Sequence, residues 1–189
     1  MRTEPGTVTV ETMRLIRRSL AVTGLAAALV VTGVGLPGLA TAHQPVRLDS
    51  SDPTPGKGPL LVDGTVSFAV YAPLAARKLK RGFRFRMQAG QPLRVQLLIT
   101  DVAPANTLPD RRQPKVTIIS PSGRRIVLTI NERTPFYEPY GGTSYLYLSR
   151  YSGVAEKGTY RVWVKSRSSA PVNAVIGVGY REVPGVVRN

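Results

Sequence analysis

The sequence contains no cysteine and a single histidine, His43. Without cysteine the chain can form no disulfide, thiolate nucleophile, iron–sulfur cluster or cysteine-ligated zinc site. A Ser-His-Asp catalytic site would depend on His43, which lies in a segment predicted to be a mobile end. Acidic residues are also scarce, with 11 Asp and Glu against 26 Lys and Arg, and no spacing singles out a pair of carboxylates for hydrolysis. The sequence therefore predicts no enzyme and no cofactor.

One long apolar stretch is present, at residues 20–42, and basic residues lie just before it. The basic residues are Arg14, Arg17 and Arg18, and the stretch closes on Ala40-Thr41-Ala42. A basic n-region, an apolar h-region and an A-x-A site are typical of a secretory signal peptide. We therefore expect cleavage after Ala42 and a secreted or otherwise extracytoplasmic protein of the cell envelope. Because the stretch is long enough to span a bilayer, a retained anchor is the alternative.

These signals predict four segments. Residues 1–12 are a poor n-region and are interpreted as an over-long gene start, and residues 13–42 as the signal peptide. Residues 43–58 are rich in Pro, Asp, Ser and Gly and predict an extended lead-in. Residues 59–189 then form one folded domain without a membrane span.

The charge balance indicates which partners the protein attracts. The formal net charge is +15, of which residues 1–42 carry +2, so +13 remains on the predicted mature chain. A charge of this size favours polyanions and carries no information about the fold. Outside a cell these are anionic cell-wall polymers, acidic polysaccharides and anionic lipid headgroups. We expect such a polymer or an envelope protein as partner and no specific nucleic acid; the alternative is that the charge serves solubility alone.

Side-chain alternation with a period of two runs through the predicted domain. Examples are the segments at 83–88, 93–100, 116–120 and 159–166. Frequent Gly and Pro turn signals separate these segments, and no long amphipathic helix is present. The pattern predicts an all-β fold, a single jelly-roll-like β-sandwich of eight or nine strands after an N-terminal signal helix. The short link at Ala89-Gly90-Gln91 further predicts that its two flanking strands form a hairpin.

Three turn motifs recur in a fixed order: Ala89-Gly90-Gln91, Pro121-Ser122-Gly123 and Gly158-Thr159-Tyr160. Over residues 80–180 this order resembles the bacterial pre-peptidase C-terminal domain and related jelly-roll modules. The resemblance implies a non-catalytic, secreted β-sandwich. It departs from the usual case because no protease domain is attached.

The stretch from His43 to Gly56, HQPVRLDSSDPTPG, is similar to the mature N-terminus of periplasmic copper-carrier sandwiches. Cleavage after Ala42 would leave His43 with a free amino nitrogen and an imidazole, a chelate suited to Cu(II). Such sites normally recruit another histidine, which this chain lacks, so Asp49 or Asp52 would have to complete the site. A copper-binding protein is therefore the first alternative function, and a carboxylate-dependent hydrolase is the second.

Two sets of residues are candidate ligand-binding sites for a non-catalytic module. The first set is basic with one indole, and alternation places it on the outer sides of its strands: Arg84, Arg86, Arg94, Arg161, Trp163 and Lys165. If these strands share a sheet, its outer face could hold an anionic polymer, with Trp163 stacking on a sugar or lipid edge.

The second set belongs to residues 136–151, which hold six aromatic residues. Phe136, Tyr137 and Tyr140 are candidates for a recognition surface, because aromatic rings add contact area at low entropic cost. Packing at the end of the sandwich is an equally good interpretation of these three. For Tyr145 and Tyr147 packing is the favoured interpretation.

Overall fold

The computed structural model describes residues 43–189. The predicted signal peptide and the predicted over-long start lie outside the described residues. Residues 43–189 form strands and two 3-10 turns, Ala105–Thr107 and Asp110–Arg112. The prediction of an all-β sandwich is confirmed. Within this part of the chain, no helix has the length and apolarity needed to cross a membrane.

Twelve strands form two six-stranded sheets. In spatial order the first sheet consists of β1 (Gln44–Arg47), β3 (Phe68–Leu74), β11 (Val172–Val178), β5 (Pro92–Thr100), β9 (Thr143–Val154) and β8 (Thr134–Glu138). The second sheet consists of β12 (Val187–Arg188), β2 (Leu60–Leu61), β4 (Lys80–Met87), β10 (Gly158–Lys165), β6 (Lys115–Ile119) and β7 (Arg125–Val127). The structure therefore has twelve strands, where eight or nine were predicted. The strands outside the predicted segments are short ones of two to five residues: β1, β2, β8 and β12.

The main core lies between the two sheets and follows the two-residue period of the strands. From the first sheet, Phe68 and Val70 of β3 and Leu97 of β5 are fully buried, and from the second sheet Phe83 and Phe85 of β4 are fully buried. Phe85 also stacks on the buried ring of Tyr160 at 5.0 Å between centroids. The intervening residues of each strand face outward, so each sheet presents an outer face made of alternate side chains.

The predicted hairpin around Gly90 is wrong. β4 belongs to the second sheet and β5 to the first, so the turn crosses from one sheet to the other. Its backbone bonds with the neighbouring β9–β10 connection: the amide of Gly90 donates to the carbonyl of Ala155 at 3.0 Å, and the amide of Ala155 donates to that of Gln91 at 2.9 Å. A tight turn fixes only the reversal of the chain, whereas the sheet to which each strand belongs depends on distant partners.

Residues 43–58 contribute one strand to the first sheet and a loop that packs on the second. β1 pairs in parallel with β3 at the edge of the first sheet. The loop that follows packs on the outer side of β4, where the amide of Gly82 donates to the carbonyl of Asp52 at 2.9 Å. A Cβ atom on Gly82 would lie only 2.3 Å from the backbone nitrogen of Pro55, so this loop can pack here only because Gly82 has no side chain.

Candidate functional site

The outer face of the second sheet carries most of the predicted basic set, in rows that run across the strands. One row, which we call the lysine row, places Lys165 of β10 between Lys80 of β4 and Lys115 of β6. The next row places Trp163 between Gly82 and Thr117, and the row after that places Arg161 between Arg84 and Ile119. Trp163 is therefore flanked by cations on both sides.

A groove forms around the half-buried indole of Trp163, and we call it the basic groove. It is lined by Lys80, Lys115, Thr117, Ile119, Arg125, Trp163 and Lys165. The ammonium group of Lys80 lies 6.0 Å from the centroid of the Trp163 ring, at the limit of a cation–π contact. No carboxylate lines this groove, so its four cations face solvent without an acidic partner among the lining residues.

The positive surface continues past the groove to one end of the sandwich. Lys115 and Lys165 also line a second recess with Arg111 and Arg167, and those two arginines line a third with Arg77 and Arg112. The one acid among the residues that line these three recesses is Asp110. Its carboxylate is occupied by the guanidinium of Arg133 at 2.8 Å. We call this continuous surface the basic track; it consists of the basic groove and Arg77, Arg111, Arg112 and Arg167.

The structure places the other predicted basic residues as follows. Arg86 and Arg161 are exposed on the outer face of the second sheet, as expected. Arg84 shares this face but is half-buried, and its guanidinium donates to the carbonyl of Gly58 at 2.9 Å, so it anchors the loop. Arg94 does not join them, because β5 lies in the first sheet; its guanidinium lies 5.0 Å from the ring centroid of Tyr180. The expectation that Arg94 shares this basic face is wrong.

Several cations of the basic track were not predicted. Lys115 alternates outward in β6, and Lys80 begins β4, but only the pairing of both strands with β10 brings them to Lys165. Arg77, Arg111 and Arg167 come from three separate segments between strands. No local sequence pattern marks them, because their proximity results entirely from the tertiary fold.

The outer face of the first sheet is apolar and aromatic instead. A β-bulge in β9 produces this arrangement: Leu97 of β5 lies opposite Ser149, whereas Leu98 lies opposite Tyr147, which leaves Leu148 as the extra residue. The bulge reverses which side alternate residues face. Tyr151 therefore packs against the main core, while Tyr147 packs on the outer face.

A concave site of about 280 Å³ lies on this outer face, and we call it the aromatic cleft. Its floor consists of small and aliphatic residues with one amide side chain, and its walls consist mainly of aromatic rings. The floor residues are Ala69, Gln96, Leu98, Val175 and Gly177, and the wall residues are His43, Pro45, Tyr71, Phe136, Glu138, Tyr140, Tyr145 and Tyr147.

Two of the three aromatic candidates belong to this cleft. Phe136 is half-buried, and its ring centroid lies 5.5 Å from that of Tyr147 and 6.5 Å from that of Tyr145. Tyr140 is 70% exposed at the rim. Tyr137 is 61% exposed and does not line the cleft. Tyr145 and Tyr147 pack, as favoured, but in a small cluster on the outer face, separate from the main core.

Three ionisable side chains that line the aromatic cleft are either uncharged or already hydrogen-bonded. Burial raises the pKa of Tyr145 to about 12, assisted by a hydrogen bond with Tyr71. The carboxylate of Glu138 accepts hydrogen bonds from the backbone amides of Tyr140 at 2.8 Å and Gly141 at 2.6 Å. Desolvation lowers the pKa of His43, so its imidazole is neutral at neutral pH.

His43, the predicted metal ligand, hydrogen-bonds through Nδ1 to the hydroxyl of Ser67. The carboxylates that act on its charge are those of Glu182 and Glu138. Asp49 and Asp52 instead stabilise their own turn, where Asp49 accepts from Ser51 and Asp52 accepts from the amide of Asp49. Among residues 43–189, no three His, Cys, Asp or Glu side chains come together.

Comparison with known proteins adds no assignment. The chain matches no protein-family model, and the search of curated proteins gives no match. The arguments for function therefore depend on the two outer faces of the sandwich.

Proposed function

We propose that the protein is a secreted, non-catalytic binding module of the cell envelope, and that the basic track holds an anionic polymer. The lysine row carries this proposal. Lys165 lies directly between Lys80 and Lys115 on adjacent strands, and like charges placed opposite each other across strands are destabilising. An arrangement that costs stability is understandable if a polyanion supplies the missing negative charge.

The shape of the basic track supports a polymer as the ligand. The basic groove and the two further recesses share lining residues, so the cations form a path across the sheet and onto the sandwich end. A chain of regularly spaced anions can contact such a path at many points and release counterions from each. Trp163, half-buried in the groove, offers an indole on which a sugar ring could stack.

The arginines at the far end of the track favour phosphate or sulfate groups within the polymer. Arg77, Arg111, Arg112 and Arg167 line one recess together with Ser168 and Ser169. Guanidinium groups bind multi-oxygen anions through paired, fixed donors, and hydroxyl groups can add further donors. The export signal predicted at 13–42 supports an envelope location, where polymers of this kind occur.

Charge reversal tests the proposal. The purified protein is titrated with polyphosphate and with an envelope fraction at increasing salt concentrations. Lys80→Glu/Lys165→Glu should weaken binding by roughly tenfold or more at low salt and flatten the salt dependence, because counterion release falls with each lost contact. The matched control is Arg47→Glu/Arg94→Glu, which makes the same charge change on the first sheet. Both of these guanidinium groups lie over tyrosine rings, as Lys80 lies near the ring of Trp163.

If the proposal holds, Lys80→Glu/Lys165→Glu loses affinity and the first-sheet control binds like the wild type. Equal losses of affinity in both variants would mean that net charge alone attracts the polymer. A loss of affinity only in the first-sheet variant would mean that the polymer binds to the first sheet. Either outcome contradicts the role of the basic track. The location is tested separately, by recovering the protein from the culture medium and measuring by mass whether it begins at His43.

A further inference from the structure

One residue in the middle of the floor of the aromatic cleft is a glycine, Gly177. Gly177 lies within β11, and the register of β11 continues without interruption to Ala69 on one side and Gln96 on the other. Its backbone is not in the left-handed region. The nearest atoms that a Cβ would meet are side-chain atoms of Gln96, at 3.3 Å and beyond.

Glycine inside a strand normally marks a bulge, a bend, or the close approach of a backbone or ligand. The regular register excludes a bulge at Gly177, and the three atoms nearest to the position of its Cβ all belong to the side chain of Gln96. Gly82 in the second sheet shows the other case, since a loop packs directly on it. Gly177 therefore leaves room for the side chain of Gln96 to lie along the floor, and together with Ala69 it keeps that floor low enough for a ligand to approach.

We infer that the aromatic cleft is a binding site for a flat, uncharged, mainly apolar ring compound with one polar substituent. The walls are aromatic faces and edges, which stack on a planar ring. The lining residues include no Lys or Arg that could pair with an anionic ligand, and the imidazole of His43 is already bonded to Ser67. A cationic ligand would have to compete with the two backbone amides that already donate to the carboxylate of Glu138.

Gln96 provides the polar contact. Its amide lies on the floor next to Gly177 and can both donate and accept a hydrogen bond. The volume of about 280 Å³ is near the lower end of small-molecule sites, which suits a compound of two fused rings. This site lies on the opposite sheet from the basic track, so it goes beyond the proposed polymer-binding function and does not depend on it.

The test uses two probes that differ by one hydroxyl, naphthalene and naphthol, titrated into the full protein and followed by ligand fluorescence. Both should bind saturably. Gly177→Leu fills the floor and should weaken both by roughly tenfold or more. Gln96→Leu should weaken naphthol by about 2- to 10-fold, the effect of one neutral hydrogen bond, and leave naphthalene unchanged or slightly tighter.

Folding is monitored for each variant by thermal unfolding. If Gly177→Leu does not fold, Ala69→Leu fills the same floor from the neighbouring strand and serves instead. Thr159→Leu, which introduces a leucine on the outer side of the second sheet opposite Arg86 and away from both sites, is the control and should change neither affinity. Binding that survives both floor variants, or that fails to saturate in the wild type, overturns the inference. Displacement of naphthol by a neutral oligosaccharide but not by naphthalene would overturn the assigned ligand class.

Discussion

The two outer faces of the sandwich result from the same two-residue alternation, but their side chains differ in burial and in charge. On the first sheet, Leu98, Tyr145 and Val175 are more than nine-tenths buried, because the aromatic rings of the cleft shield one another. On the second sheet, the lysine row stands open to solvent with like charges side by side. The first face therefore gains stability from its own contacts, whereas the second loses stability through repulsion between like charges. We interpret only the second as a surface that selects a ligand by charge.

The largest expected effect compares the two strand glycines. In Gly82→Val, the new side chain would meet the loop at Pro55, where the position of Cβ is only 2.3 Å from a backbone atom. Forced overpacking of this kind costs about 3 kcal/mol in the free energy of unfolding. Gly177→Ala would place a Cβ 3.3 Å from Oε1 of Gln96, the end of a flexible side chain that can move aside, so the free energy of unfolding should change by no more than about 1 kcal/mol.

Urea unfolding of both variants measures the difference. A mild effect of Gly82→Val would mean that the loop at 52–58 is not tightly packed on the second sheet. A large loss in Gly177→Ala would mean that the fold does require this glycine, and the argument for an open floor would fail.

The second prediction uses pH to test how well the first face excludes water from the hydroxyl group of Tyr145. Tyr145 has a pKa of about 12 in the folded protein, against about 10 in an unfolded chain. Between these values the unfolded chain has lost the proton and the folded protein still holds it. The free energy of unfolding should therefore fall as pH rises from about 10 to about 12. Below about pH 10 both states are protonated and Tyr145 adds no slope.

The effect is measured by urea unfolding across this pH range, in wild type and in Tyr145→Phe. The variant should show a shallower decline, because it has no proton to lose at this position. Tyr137→Phe, at an exposed tyrosine of β8, is the matched control and should follow the wild type. Identical slopes in all three proteins would show that solvent reaches the hydroxyl of Tyr145 and that the cleft wall is not dry.

The glycine and tyrosine comparisons also show how far the sequence predicts the structure. Alternation in residues such as Phe83, Phe85 and Val95 is enough to predict the strands and the inward face of each, because burial of one side is a local pattern. Uninterrupted alternation along β9 would also put Tyr151 on the side of Tyr145 and Tyr147. The structure separates Tyr151 from the other two, because the pairing of β9 with β5 introduces the bulge.

Sheet membership is the other feature that local patterns do not specify. Arg84 and Arg94 alternate equally well, yet they lie in different sheets because their strands have different distant partners. Trp163, Arg161 and Lys165 are predicted together because one strand carries them. Lys80 and Lys115 join them only through pairing. A site on one strand is therefore visible in the sequence, whereas a site assembled from several strands and loops requires the structure.

The smallest expected effect concerns the lysine row itself. Lys165→Gln replaces the central residue and removes the charge that repels both Lys80 and Lys115. The free energy of unfolding should therefore increase by about 0.2–1 kcal/mol at low salt. The gain should vanish near 1 M salt, where the screening length is only about 3 Å. Lys57→Gln, at an exposed lysine in the loop at 52–58, makes the same change away from the row and should leave stability unaltered. Lys165→Gln should also bind polyphosphate more weakly than the wild type does. A gain in stability that persists at high salt would come from packing and not from relief of repulsion. The second face would then not be destabilised by its like charges, and the contrast with the well-packed first face would have no physical basis.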